Sequence, residues 1–187
     1  LVYAGFVIVN IEVLEIIIDG IFGTHRVLSF MGGLYDFLIG SFEWLALGVW
    51  VSCAIFLVRR NIIRLKRFVM KKLDGWPRTD ANLILATEIA LMSAFLLMHA
   101  ADRTLQLRGE EHYIVAGAFP ISSAVASLFS FASLSSTALI AIERSCWWFH
   151  IIGILAFLNY LPYSKHLHIL LAFPNTWYSK LKPKTEI

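Results

Sequence analysis

Long apolar runs separated by short polar clusters dominate the chain, and each run has the length of a membrane-crossing helix. A bilayer core takes roughly 20 apolar residues per helix. The first span runs from Leu1 to about Phe22. The second runs from about Phe37 to Val58 and stops at Arg59-Arg60. The third covers about Ala81 to Ala101, with Asp80 as its expected N-cap, because a carboxylate there accepts from the free first-turn amides. The last apolar stretch, about Thr137 to Phe173, is too long for one simple span. Glu143 and Arg144 mark its outer part, and Pro162 with Lys165 its approach to the other surface. Between Phe119 and Ser136, the segment PISSAVASLFSFASLSS predicts a short helix on the membrane surface, begun by Pro120 in its first turn. The expected fold is an all-α integral membrane bundle of four transmembrane helices plus this interfacial helix, with a fifth span here as the alternative. Residues 1–175 form the transmembrane domain, and 176–187 read as the start of a cytoplasmic linker or tail.

Composition agrees with this pattern. Of 187 residues, 58% are hydrophobic and 16% charged, and the mean hydropathy is +0.71; soluble domains are nearer half apolar and a quarter charged. The excess has to face lipid. The chain opens on Leu1 with no initiator Met, no charged leader and no cleavage site, which predicts a natural chain that begins earlier.

Charge sets the expected orientation. Arg59, Arg60, Arg64, Lys66, Arg67, Lys71, Lys72 and Arg78 crowd one loop, and Lys165, Lys180, Lys182 and Lys184 fall on the same side. The positive-inside rule places that side in the cytoplasm. Beside two spans, the basic loop reads as topology and anionic-lipid contact rather than a nucleic-acid site. Cys53 and Cys146 each sit alone in an apolar run, as small apolar fillers. No CxxC occurs, so this stretch is expected to hold no iron–sulfur cluster or zinc site.

Six histidines remain to be placed. His150 and His168 are eighteen residues apart in one apolar stretch. In a continuous helix that is five turns, so both rings would share a stripe, about 27 Å apart along the axis. This is close to the hydrocarbon thickness of about 30 Å. A stripe with a His at each end suits two stacked porphyrins, each bound axially by an imidazole. Gly153, one turn from His150, would let a macrocycle lie close. His166 falls off this stripe and reads as interfacial.

The segment HIIGILAFLNYLPYSKHLH, His150 to His168, resembles the last helix of the gamma subunit of respiratory nitrate reductase and its relatives. In that pattern a His and an apolar run lead to Pro162, Tyr163, Ser164, Lys165 and a second His. TDANLILATEI at the third span and the Arg pair closing the second are similar as well. The same module occurs with, or fused to, heterodisulfide-reductase-like iron–sulfur oxidoreductases. The resemblance implies a haem b domain, with one or two haems, in a prokaryotic cytoplasmic membrane. It would carry electrons between quinone and a cytoplasmic iron–sulfur protein or domain. Such families draw the second axial ligands from an earlier helix with two histidines, whereas LVYAGFVIVNIEVLEIIIDG has none and shows Asn10 where a His is expected. The resemblance therefore points to His99, His25 and, less well, His112 as outer ligands, with an inner ligand expected before Leu1. Arg103, one turn beyond His99, and Arg144 stand as partners for haem propionates.

Carboxylates inside the apolar runs complete the picture. Glu12, Glu15 and Asp19 recur on one face of the first span, and Glu43 and Glu88 add two more. Charges at such depths cost a few kcal/mol, so they pair or line a wet cavity. In a quinone-coupled protein Glu12 and Glu15 would relay protons or hydrogen-bond the quinone. The alternatives are a haem-poor membrane anchor for a soluble redox partner and a small ion-coupled transporter using Glu12, Glu15 and Glu88. No internal repeat or broken span of the transporter kind is visible.

Overall fold

The computed structural model describes residues 2–63, 75–164 and 167–179. Its elements are α1 (Val2–Phe22), α2 (Gly33–Asn61), α3 (Trp76–Arg108), α4 (Pro120–Leu128), α5 (Ser136–Tyr160) and α6 (Leu167–Trp177), with short 3₁₀ turns at Val27–Met31, Phe131–Ser133 and Leu161–Tyr163. No strand occurs among the described residues. Three stretches, Gly33–Asn61, Arg78–Arg108 and Ser136–Tyr163, are long and apolar enough to cross a membrane. The basic residues 64–74, Lys165, His166 and the lysines from 180 onward lie outside the described residues.

The distribution of side chains is that of a membrane bundle. Trp44, Ile55, Phe56, Trp148, Phe149, Ile152, Leu155 and Leu158 are exposed on the outside of the helices. Glu12, Glu15, Glu43, Asp102 and His99 are buried within. A soluble domain would reverse this, because its charged groups are almost never buried unless paired.

Helix α3 is the centre. It packs along α5 and against α2, and α4 lies across its later turns. One apolar core joins Tyr35, Ile39 and Phe42 of α2 to Phe95 and Met98 of α3 and to Phe119. A second joins Ala100, Ala101 and Leu105 of α3 to Phe131 and Leu139. The small residues let α3 approach its neighbours closely, the usual device where lipid supplies no hydrophobic drive between helices.

Three expectations about elements are corrected. Helix α3 begins at Trp76, with Gly75 as N-cap and proline in the first turn, so Asp80 is not a cap. It is buried in the helix and accepts a hydrogen bond from the Tyr160 hydroxyl of α5. The last apolar stretch is not one helix: α5 ends at Tyr160, Pro162 stands in a 3₁₀ turn, and Ser164 is extended (φ −100°, ψ 168°) before α6 begins. Proline removes an amide donor and crowds the preceding turn, so the break falls where that ring is. Finally, α4 does start at Pro120 as expected, but it is only partly superficial, because Ser122 is fully buried and its hydroxyl donates to the Leu96 carbonyl of α3.

Candidate functional site

The α1–α2 connection and the α3–α5 connection meet at one end of the bundle, together with α4, and the buried charges gather there. Asp102 of α3 is the hub. It accepts from Arg26 Nε and Nη2 at 2.8 and 2.5 Å, from His25 Nε2 at 3.0 Å and from Gln106 at 3.2 Å. Arg26 is a non-glycine residue at φ 55°, a conformation that costs of order 1 kcal/mol or more. The carboxylate of Asp19 holds it there by accepting the amides of Arg26 and Val27. Arg26 is buried, which alone would weaken its charge; the Asp102 carboxylate outweighs that and keeps the guanidinium firmly protonated. Glu15 accepts from the Leu28 amide at 2.9 Å and the Tyr35 hydroxyl at 2.9 Å, and Tyr35 in turn accepts from Arg26 at 3.0 Å.

Below this hub lies a second arrangement. His99 Nδ1 is 3.3 Å from Glu43 Oε1, and Nε2 is 3.5 Å from Glu12 Oε1. The other oxygen of Glu43 accepts the amides of Ile121 and Ser122 at 2.8 and 3.1 Å. Those are the first-turn amides of α4, whose partial positive charge favours an anion. The other oxygen of Glu12 is buried with no hydrogen-bond partner among the described residues. A cavity of about 60 Å³ runs from Glu12 and His99 past Glu15 and Asp102 to Asp19 and Thr24. Thr24 is exposed, so the cavity reaches the surface.

His150, on α5, is buried against α3, with Nδ1 3.1 Å from the Leu91 carbonyl. Phe95 touches both imidazoles, its ring centroid 4.2 Å from that of His99 and 5.8 Å from that of His150. The open space expected above Gly153 is taken by Leu91: a Cβ at Gly153 would fall 2.6 Å from Leu91 Cδ2.

Haem ligation needs an imidazole nitrogen with a free lone pair, the other nitrogen being held by a donor bond. His150 has that arrangement, since donation from Nδ1 to a carbonyl leaves the lone pair on Nε2. His99 does not, because both of its nitrogens face carboxylates. His25 does not either: Nε2 donates to Asp102 and Nδ1 accepts the Ile114 amide at 3.1 Å. The cavity beside His99 is also far below the roughly 300–1,000 Å³ of cofactor pockets. Of these three histidines, His150 is the one whose hydrogen bonding leaves a ring nitrogen free for axial ligation. His168 is exposed on α6, and the break at Pro162 removes the continuous helix from which a shared stripe with His150 was inferred. Among the described residues no group of three His, Cys, Asp or Glu side chains is arranged to hold a metal ion.

The expected propionate partners are engaged within the protein. The Arg103 guanidinium lies 5.9 Å from the Phe119 ring centroid. Arg144 is 3.0 Å from Glu143 and 3.2 Å from His112 Nε2. Burial and the neighbouring His25 and Arg144 hold the His112 imidazole below its ordinary range. Burial, with the adjacent Glu143, pushes the Tyr113 hydroxyl up to about 12. Asp102, Arg26 and Tyr35 had no local sequence signal, because their contacts span connections and whole helices.

The chain is 27% identical over 183 residues to a Bacillus subtilis protein described as a probable iron–sulfur-binding oxidoreductase, FadF. The match covers 96% of this chain and 23% of that protein, so the chain spans about a quarter of its relative's length. No protein-family profile and no solved structure matches the chain.

Proposed function

We propose that this chain is the membrane-embedded electron-transfer portion of a quinone-linked oxidoreductase, working with a cytoplasmic iron–sulfur protein or domain. The observation that carries the reading is the similarity of almost the whole chain to part of an iron–sulfur-binding oxidoreductase, joined to three helices apolar enough to cross a membrane. A redox protein that sends a quarter of its length into lipid has use for a lipid-soluble electron carrier, and quinones are such carriers. Their reduction takes up two protons for two electrons. Buried carboxylates and an imidazole at membrane depth, here Glu12, Glu15, Glu43 and His99, are groups that hold and pass protons where water is scarce.

Haem b, when bound, would supply one-electron chemistry, with His150 as an axial ligand. The Leu91 carbonyl fixes the tautomer and orientation of that imidazole. Arg26 and Asp102 tie the α1–α2 connection to α3, so the acidic groups keep their places while charge moves past them.

A reduced-minus-oxidised spectrum of the full-length protein in detergent, with pyridine haemochrome quantitation, tests the reading. A b-type band that is lost in His150→Ala is the expected result. No band in protein made with ample haem would overturn haem ligation and favour the haem-poor anchor, which the commitment of His99 and His25 to carboxylates also supports.

A further inference from the structure

We propose that the cavity between α1, α3 and α5 is a water-filled proton-loading site, in which Glu12 takes a proton from the surface and passes it through His99 to Glu43. This deepens the proton-handling part of the quinone-linked reading and rests on it only for the proton's final use.

Three observations converge. Glu12 has a side chain only 9% exposed, yet its Oε2 lacks a partner among the described residues while lining a cavity that reaches Thr24. A buried carboxylate oxygen left without a donor is costly, and a polar cavity with room for more than one water is where ordered water supplies one. Second, His99 bridges two carboxylates through opposite ring nitrogens. An imidazole so placed conducts: a proton arriving on Nε2 from Glu12 Oε1 is matched by one leaving Nδ1 to Glu43 Oε1. Ring rotation then restores the starting tautomer, so the proton stays on Glu43 and the imidazole ends unchanged. Third, the far end is held in place: Glu43 Oε2 accepts from two amides of α4, which favour the carboxylate, and Oε1 remains the oxygen that takes the proton from His99.

The surroundings keep the rest of the site fixed. From α1, Glu15 and Asp19 face the cavity but already accept from the Leu28 amide and Tyr35, and from the amides of Arg26 and Val27. From α3, Asp102 is taken up by Arg26 and His25 of the α1–α2 connection. From α5, Glu143 is paired with Arg144 and accepts from Tyr113. Among the described lining acids, Glu12 is the one with a buried oxygen left for water. The cavity has no space for a quinone ring, so its ligand is water and the proton it carries.

The test uses infrared difference spectroscopy of the full-length protein in lipid nanodiscs, stepped in pH in H2O and in D2O. The expected result is a protonated-carboxyl band that responds to pH, shifts in D2O, disappears in Glu12→Gln and persists in Glu88→Gln. A spectrum with no component dependent on Glu12, or a component that neither titrates nor exchanges, overturns the proposal. If Glu12→Gln does not insert, histidine-¹⁵N NMR of the wild type, assigned with His99→Gln, decides instead. A pH-dependent change in which His99 ring nitrogen carries the proton supports the relay, and a single fixed tautomer across the range sinks it. Neither measurement needs haem, quinone or an electron donor, so a negative result here leaves the redox reading standing, and a missing haem band leaves this one.

Discussion

The two ends of the bundle join their helices in different ways. At the α4 end, buried groups share partners: Asp102 serves Arg26, His25 and Gln106, and Glu43 serves His99 and two amides of α4. At the opposite end the described contacts run between neighbouring helices. Asn61 and Asn82 exchange amide hydrogen bonds between α2 and α3, Tyr160 donates to Asp80 between α5 and α3, and Arg60 reaches the Arg78 carbonyl. Removing a shared acceptor strands several groups, some charged, in a place that water reaches only through a narrow cavity. The chemistry of the α4 end is thus hard to alter piecemeal.

The largest effect is expected for Asp102→Ala. It leaves the Arg26 guanidinium buried and uncompensated, and breaking a buried ion pair by removing one partner costs about 3–5 kcal/mol. Thermal unfolding in detergent should show a large loss, and the double variant Arg26→Met with Asp102→Leu should recover most of it. If the single variant unfolds like wild type, the hub is not a shared one and the contrast between the ends fails.

Glu43→Ala comes next. It withdraws the acceptor of two first-turn amides of α4 and one partner of His99. Loss of a cap with stranded buried donors amounts to about 2–3 kcal/mol. The local signature is more telling than the total. Hydrogen exchange at Ile121 and Ser122 should accelerate strongly, while amides in the middle of α2 and α5 hold their protection.

The contrast also explains what could be read from the chain by itself. Length and apolarity marked three of the four expected spans, those of α2, α3 and α5, and Pro120 marked the start of α4, because those signals are local. Pro162 was equally visible, yet the eighteen-residue interval from His150 to His168 drew a continuous helix across it. A proline inside an apolar run was the stronger signal, and α5 ends just before it. Glu12, Glu43 and His99 were each noticeable as polar residues at membrane depth. Their meeting was not, since Glu43 and His99 are 56 positions apart and joined only by how α2 and α3 pack. Charge at depth says that a partner exists without saying which.

At the opposite end, Tyr160→Phe should cost less than either variant above, because it removes one hydrogen bond from Asp80 and leaves no charge unpaired by a deleted partner. Equilibrium unfolding against wild type checks it. A loss as large as that of Asp102→Ala would mean that Asp80 is a second hub and that the two ends are built alike.

The smallest effect is expected on the lipid-facing side, where Trp50 Nε1 donates to Ser93 at 3.0 Å between α2 and α3. Ser93 already donates its own hydroxyl to the Ile89 carbonyl at 2.7 Å, so losing the indole strands no donor of its own. Interhelical hydrogen bonds in membranes average about 0.6 kcal/mol, because the separated helices find other partners. Trp50→Phe keeps most of the ring's bulk and removes only the donor. Its unfolding midpoint should therefore lie within a few tenths of a kcal/mol to about 0.6 kcal/mol of wild type. A loss several times larger would place a structural polar contact on the face that the exposed Trp44, Ile55 and Phe56 mark as lipid-facing, and would move the boundary between lipid and protein on α2.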